Sequence, residues 1–294
     1  MAHGVTVVVS SPSTMNIEFA EQFKEELLKA RNKHLKIKVI NLQDGDQLIV
    51  DEPGELVVAV GVRALQLTSK LKANTPVLGV FTPLPTFNVL LESNKRDLGN
   101  FSAILLDQPF SRQMALMRII LPGSKNVGVL LGPTSGKYAE LLQEAGEKSA
   151  FHIADEMVPQ EADLIPKLRK VLEENDALLA IPDPMIYNRE TAHPILLTSY
   201  RHQKPVFGYS QSYVRAGALA AVYSSVKQLA RQAAEITLVQ HSSGLLPPPQ
   251  APRYFSVMMN AQVARSLSVP LIDDETLRRK ILLLEGPQND ELRD

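Results

Sequence analysis

The residues most suggestive of catalysis lie at 208–212, where the sequence reads Gly-Tyr-Ser-Gln-Ser after an apolar run. A hydrolase nucleophile that follows a strand typically occupies Gly-x-Ser-x-Gly, whereas the last position here is Ser212. A catalytic serine also needs a histidine and an acid. After Ser210 the sequence has one histidine, His241, and the one acid between them, Glu235, lies six residues before it on a different helix face. These features argue against a catalytic serine, so an esterase-like α/β hydrolase using Ser210 is only an alternative hypothesis.

A second glycine-containing turn lies at residues 132–138, which read Gly-Pro-Thr-Ser-Gly-Lys-Tyr. A phosphate-binding loop needs four residues between its glycines and a Ser or Thr after its Lys. Here three residues separate the glycines, and Tyr138 stands where the hydroxyl ligand would be. The pattern instead predicts a strand, a turn and a helix start capped by Thr134 or Ser135. The amides of such a helix start could also bind a ligand carboxylate.

The composition excludes several other kinds of chemistry. The chain has 294 residues, no Cys and six His, and no two His stand four residues apart. Disulfides, thiolate metal sites and cysteine nucleophiles are excluded, and we predict neither a metal nor another cofactor. The 31 basic and 32 acidic residues give a formal net charge of −1 without a basic block, so we expect no nucleic-acid partner. The length suits two domains, each with its own core.

Short apolar runs that alternate with helical patterns must position any site. Each run is too short for a buried helix and ends at polar, Gly or Pro residues, which is typical of strands in a parallel α/β sheet. Strands are predicted at residues 5–9, 35–40, 56–60, 76–81, 103–106, 127–131, 151–157, 177–181, 205–207, 218–222 and 254–259.

The helices between these strands are predicted from apolar residues at helical spacing. The first carries Ile17, Ala20, Phe23, Leu27 and Leu28 on one stripe, and Pro194 places the start of another helix near residue 191, because proline fits only a first turn. Further helices are expected at 63–71, 134–148 and 162–174, after residue 223, and in a charged tail at 273–294 with Leu277, Ile281 and Leu284 and a mobile polar end.

Polar and glycine residues follow most of these strands and define the predicted binding site. Ligands bind outside the carboxyl ends of parallel strands. Hydroxyls and helix-start amides suit a carboxylate, an acid suits an ammonium or hydroxyl group, and tyrosines offer an apolar wall. The candidate ligand-binding residues are Ser10, Ser11, Ser13, Gly61, Thr82, Pro83, Thr134, Ser135, Asp183, Tyr209, Ser210, Gln211 and Tyr223.

Three segments resemble a known family. Residues 205–236 (PVFGYSQSYVRAGALAAVYSSVKQLARQAAEI), 254–272 (YFSVMMNAQVARSLSVPLI) and 102–132 are similar to segments of ABC-transporter substrate-binding proteins of the uncharacterised-transport-system family. That family has the type I periplasmic-binding-protein fold and includes tryptophan- and tyrosine-binding members. The sequence departs from the family in having Thr82-Pro83-Leu84 and Asp183-Pro184-Met185, where many members have Thr-Asp-Pro and Asp-Asn.

The resemblance implies two Rossmann-like α/β lobes with parallel sheets, joined by a three-strand hinge. The N-terminal lobe would comprise residues 1–107 plus 224–248, and the C-terminal lobe residues 108–223 plus 249–294, with crossings near 107, 218–223 and 247–252. A small carboxylate-bearing, amino acid-like solute would lie in the cleft between the lobes. The last long helix, after residue 223, would pack on the first lobe.

The same resemblance implies a non-enzymatic, monomeric protein that delivers solute to an ABC permease in the membrane. It also implies a periplasmic location. Because a strand-like run begins at residue 5, we expect the signal segment to be absent from this chain. The ligand-sensing domain of a regulator is a further alternative, and the lack of a helix-turn-helix head before residue 5 argues against it.

Overall fold

Two sheets with helices packed around them organise the protein. The structure, a computed structural model, describes residues 4–11, 13–29, 35–43 and 55–285. By their internal contacts these residues form two compact units, one from Met1–Asp107 and Ser224–Tyr254 and one from Gln108–Tyr223 and Phe255–Asp294. The chain therefore passes three times between the units, and the predicted α/β class with mainly parallel sheets is confirmed.

The first unit contains a five-stranded sheet in the order β2-β1-β3-β4-β5, with all neighbours parallel. Strands β3 and β4 are apolar runs buried on both faces, as central parallel strands require, whereas the edge strand β2 is half exposed. The elements of this unit are β1 (Gly4–Val9), α1 (Thr14–Lys29), β2 (Lys36–Asn41), β3 (Leu56–Val60), α2 (Val62–Thr68), β4 (Val77–Thr82), α3 (Leu84–Ser93), β5 (Phe101–Leu105) and α9 (Val226–Ser243).

The second unit contains a six-stranded sheet in the order β11-β10-β9-β8-β6-β7. Strand β11 is antiparallel to β10, and the other neighbours are parallel. Its elements are α4 (Phe110–Ile120), β6 (Asn126–Leu131), α5 (Ala139–Lys148), β7 (His152–Met157), α6 (Leu164–Glu174), β8 (Ala177–Leu179), α7 (Arg189–Arg201), β9 (Val206–Gly208), α8 (Gln211–Ala216), β10 (Ala220–Tyr223), β11 (Ser256–Met259), α10 (Ala261–Ser266) and α11 (Asp274–Glu285).

Helix α9 belongs to the first unit. Its buried Leu229, Ala230 and Ala233 share a core cluster with Phe19 and Phe23 of α1. The segment after α9 also belongs to this unit, because Gln250 N donates to Ala103 O of β5 at 2.9 Å. Residues 249–254 thus lie with the first unit, whereas the sequence-based division ended that part of the lobe at 248. No helix in the described part of the chain is long and apolar enough to cross a membrane.

Helices α3, α5 and α7 differ from the predictions, and α5 begins at Ala139 and not at residue 134. Helix α7 begins at Arg189 because Asn188 caps it, accepting hydrogen bonds from Glu190 N and Thr191 N, so Pro194 lies inside the helix and not in its first turn. Helix α3 was not predicted at all. Its N-cap is a proline without a capping side chain, and Leu84 N instead donates to Asp107, 23 residues later, at 2.8 Å.

Two predicted apolar stripes are partly wrong. In α1 the buried residues are Asn16, Phe19, Phe23 and Leu27, whereas Ile17 and Leu28 are exposed, so the core face is turned from the predicted one. In α11, Leu277 and Ile281 are fully buried but Leu284 is exposed. The predicted polar end of the tail, residues 286–294, lies outside the described residues.

A buried arginine ties α11 to the second unit. The Arg112 guanidinium lies 4.1 Å above the Phe255 ring, and its Nε donates to Glu285 Oε1 at 2.6 Å. Arg112 Nη1 also donates to Gln108 Oε1 at 2.8 Å. A guanidinium is expensive to bury without such partners, so these contacts make the last helix a structural part of the unit.

We expect Arg112→Ala to lower the free energy of unfolding by about 2–4 kcal/mol, because the substitution removes a buried ion pair and the stacking on Phe255. Urea unfolding followed by circular dichroism measures the change. Arg278→Ala is the matched control, since Arg278 pairs with Glu275 on the surface of the same α11 helix and should contribute less than about 1 kcal/mol. Equal losses in both variants would contradict a structural role for the buried arginine.

Candidate functional site

The predicted site residues lie at the carboxyl ends of the strands, and the strand order marks one position in each sheet. In the first unit the chain leaves β1 toward β2 and leaves β3 toward β4, on opposite sides. In the second unit the same reversal occurs between β6 and β8. Such switch points leave a crevice at the carboxyl ends of open α/β sheets.

Ser10 and Gly61 meet at the switch point of the first unit. Ser10 Oγ accepts a hydrogen bond from Ala64 N in the first turn of α2 at 2.9 Å, and Ser10 N donates to Val60 O at 3.0 Å. Gly61 has φ +90°, and a Cβ there would lie 2.7 Å from Ser10 Oγ. Gly61 is the N-cap residue of α2, and Ser10, from a distant part of the chain, supplies the acceptor that a capping side chain would provide, so glycine is required beside it.

Asp183 closes the switch point of the second unit. This buried carboxylate follows β8, and its Oδ2 accepts from Thr134 N at 3.1 Å, Ser135 N at 2.9 Å and Ser135 Oγ at 2.9 Å. Oδ1 accepts from Met185 N at 3.0 Å. The amides that could have met a ligand carboxylate thus bind a carboxylate of the protein. A second anion at this turn would be repelled.

The neighbouring Ser135 does not act as the predicted side-chain cap. Its hydroxyl accepts from Gly132 N at 2.9 Å while donating to Asp183, and the short 3-10 turn Gly136–Tyr138 that follows has no side-chain cap. Gly132 lies directly against the acid, since a Cβ there would be 2.6–2.7 Å from the Asp183 carboxylate atoms.

We expect Gly132→Ala to destabilise the protein by about 1–3 kcal/mol, because the added methyl group would push the Asp183 carboxylate away from its four donors. Gly123→Ala is the control, since a Cβ at that position meets nothing within 4 Å, and it should change stability by less than about 0.5 kcal/mol. Denaturant unfolding of both variants makes the comparison. A Gly132→Ala protein as stable as Gly123→Ala would show that the carboxylate is not held in this place.

The turn between β1 and α1 presents Ser11 and Ser13, which are both exposed. Asn16 lies beneath them on the buried face of α1, and its Nδ2 donates to Ser11 O at 2.9 Å. Ser13 Oγ accepts from Asn16 N at 3.3 Å. Helix α1 has no acidic residue in its first turn, so the positive end of its dipole faces these hydroxyls without a compensating charge.

The end of β4 has an irregular backbone. Phe81 has φ +58°, which is uncommon for a residue with a side chain, and the pairing with β5 shifts register between Val80 and Thr82. The Phe81 ring packs edge-on against Phe19, with centroids 5.4 Å apart. Thr82 is fully buried, and its hydroxyl has no hydrogen-bond partner among the described residues. Pro83 is half buried and precedes α3.

Three tyrosines cluster at the ends of β8 and β9. Tyr209 stacks on Tyr213 with centroids 5.5 Å apart, and both rings contact Tyr187 edge-on. Tyr209 is half buried, and its hydroxyl donates to Tyr187 O at 3.4 Å. Burial raises the pKa of the Tyr209 phenol, so the group stays neutral. Of the two tyrosines predicted to form an apolar wall, Tyr209 belongs to this cluster and Tyr223 does not.

Ser210 begins helix α8 as its N-cap and accepts from Tyr213 N at 3.2 Å. Its other contact is Ser212 Oγ at 3.0 Å, and no histidine or acid bonds to it within the part of the chain that is described. Gln211 is the first residue of α8 and is half buried. Tyr223 ends β10 half buried, and burial followed by the charge of Asp274 raises its pKa.

The structure brings some predicted residues together and leaves others apart. Ser10 meets Gly61, and Thr134 and Ser135 meet Asp183, whereas β3 separates the ends of β1 and β4. Among the described residues no group of His, Asp and Glu could hold a metal ion. Sequence reasoning missed Asn16, Tyr187 and Tyr213, and the signal for Tyr213 was its spacing of four residues from Tyr209.

Comparison with solved structures identifies the fold. A ligand-free, open substrate-binding protein with adhesive properties from Clostridium difficile has a TM-score of 0.73 at 14% identity, covering 93% of this chain and 97% of the other. An ABC domain in complex with L-Trp from Streptococcus pneumoniae has a TM-score of 0.64 at 18% identity, covering 95% and 98%. A periplasmic solute-binding protein with bound D-allose from Actinobacillus succinogenes has a TM-score of 0.51 at 14% identity, covering 90% of this chain and 100% of the other. The chain has the type I periplasmic-binding-protein fold.

The family follows from the sequence itself. The model of the ABC transporter substrate binding protein family matches residues 4–277, and the chain belongs to that family. A search of curated proteins finds no match. The resemblance inferred from three segments is thus confirmed over nearly the whole chain.

Proposed function

We propose that the protein is the solute-binding component of a bacterial ABC importer and binds a small carboxylate-bearing, amino acid-like solute without catalysing a reaction. In this proposal the protein works as a monomer in the periplasm and hands its solute to a membrane permease. The carboxyl ends of the two sheets contact one solute in the cleft expected between the lobes. The family match over residues 4–277 supports the binding role.

The contrast between the two switch points supports the solute class. Ser11 and Ser13 offer hydroxyls at the positive end of the 16-residue helix α1, which suits a carboxylate. In the second unit the helix-start amides are already bonded to Asp183, so that end suits a neutral or cationic group. A solute with a carboxylate at one end only meets both requirements. The L-Trp complex of the pneumococcal neighbour is consistent with this class.

Thr82, the last residue of β4, would contact a different group of the solute from the one that Ser11 and Ser13 contact. Because β3 lies between β1 and β4, the ends of β1 and β4 are about 10 Å apart, which is two strand spacings. One carboxylate cannot bond to Ser11 and Thr82 at that separation. We therefore assign the carboxylate to Ser11 and Ser13 and a second polar group, such as an ammonium, to the Thr82 hydroxyl.

A thermal-shift screen over amino acids, dipeptides, sugars and organic acids tests the solute class. An amino acid held at 100 times its Kd should stabilise the protein by about 2.7 kcal/mol and raise its Tm. A sugar that raises the Tm while no carboxylate does so would overturn the class. Wild-type protein should hydrolyse no ester, and turnover that disappears in Ser210→Ala would support the hydrolase alternative instead.

Single substitutions test the site. Ser11→Ala and Ser13→Ala should each weaken binding of the amino acid found in the screen about ten- to a hundredfold, since a hydrogen bond to a charged group contributes about 1.5–3 kcal/mol. Asp273→Ala is the control, because Asp273 Oδ1 accepts from Thr276 N at the start of α11 and should affect stability alone. Isothermal titration calorimetry measures the affinities. Unchanged affinity in both serine variants would remove this turn from the site.

A further inference from the structure

Two buried tyrosine hydroxyls lack a role in the fold. Tyr187 and Tyr213 are 6% and 5% exposed, and neither hydroxyl forms a hydrogen bond with any described residue. Nearly all buried polar groups in proteins are hydrogen-bonded, because leaving one unpaired is costly. Phenylalanine would fill the same space without that cost. The two hydroxyls therefore call for a functional explanation.

Tyr209 is the neighbour through which these two residues are closest to solvent in the cluster, because it alone of the three is partly exposed. Its ring is stacked on Tyr213 and touches Tyr187 edge-on, and it is the member of the cluster that is partly exposed. Its hydroxyl bond to Tyr187 O, at 3.4 Å, is long and therefore weak. The Tyr209 ring is thus the part of the cluster that can turn aside at the lowest cost.

The surroundings select the kind of group that could reach Tyr187 and Tyr213. Burial, together with the neighbouring phenols and the Asp183 charge, raises the pKa of Tyr187, and burial also raises the pKa of Tyr213, so both act as neutral phenols. The buried Asp183 carboxylate disfavours another anion beside Tyr187. A purely apolar group would leave both hydroxyls unpaired. A neutral hydroxyl satisfies these conditions.

We infer that Tyr187 and Tyr213 determine specificity by hydrogen bonding a neutral hydroxyl at the far end of the solute, once the Tyr209 ring turns aside. This inference rests on the proposed function and identifies which end of the solute the second unit recognises. The competing explanation is that the three rings only fill the core cluster that they share with Leu130 and Leu178. The two explanations predict different effects of removing one oxygen atom.

The test compares Tyr187→Phe and Tyr213→Phe with the wild type, using two pairs of probes that differ by a hydroxyl. The pairs are L-tyrosine with L-phenylalanine, and L-threonine with L-valine. Without a probe, each variant should have a Tm about 2–4 °C higher than the wild type, because an unpaired buried hydroxyl is removed. For at least one pair, affinity for the hydroxyl-bearing probe should fall about ten- to a hundredfold, while affinity for its partner stays within twofold.

Tyr200→Phe is the control, since Tyr200 is exposed on α7 of the same unit and should leave both Tm and affinity unchanged. The inference is overturned if the variants lose no affinity for either hydroxyl-bearing probe, if they lose it equally for both members of a pair, or if neither hydroxyl-bearing probe binds the wild type. Failure of the proposed function is a separate result, in which no carboxylate in the full screen raises the Tm. A variant that does not fold is replaced by the other, because each removes one of the two hydroxyls.

Discussion

The carboxyl end of the second sheet depends on the hydrogen bonds that the Asp183 carboxylate accepts. It joins the turn after β6 to the segment after β8, 48–49 residues apart, through bonds to Thr134 and Ser135. It also explains why position 132 is glycine, since any Cβ there would overlap the carboxylate. In the first unit the corresponding contact runs the other way. Ser10, which follows β1, accepts a hydrogen bond from the helix that follows β3. The two units therefore differ in charge at equivalent places.

At the amino ends of the strands, one arginine in each unit holds the preceding loops together. Arg96 in the first unit and Arg118 in the second donate to backbone carbonyls of the loops that precede the strands, and each guanidinium lies over a phenylalanine ring. Burial lowers the pKa of Arg96. Because these donors are bound to the main chain, this end of each sheet is fixed by the fold. The residues proposed to bind solute follow the opposite, carboxyl ends of the strands.

The sequence predicted most strands because short runs rich in valine, such as residues 5–9 and 56–60, have few other interpretations. Helix α3 was missed because the group that caps it, Asp107, is distant in sequence, and α7 was placed too late because a capping asparagine outweighed the preference of Pro194 for a first turn. The sequence identified individual candidate site residues, but it did not predict which of them contact one another. Whether Asp183 binds a ligand or the chain itself depends on contacts 48–49 residues away, which no local pattern encodes.

The attachment of α11 through Arg112 has a consequence for how the protein is made. The core of the second unit includes Leu277 and Ile281, and Glu285 completes the ion pair with Arg112, so this unit needs the last turns of its final helix. The first unit likewise needs α9, which follows most of the second unit in the chain. Neither unit can finish folding as a contiguous stretch during synthesis, since domains fold when all their segments are present. Each hydrophobic core can therefore close only after a distant segment has been made, up to residue 254 for the first unit and residue 285 for the second, and until then the earlier segments expose apolar surface that a chaperone can bind.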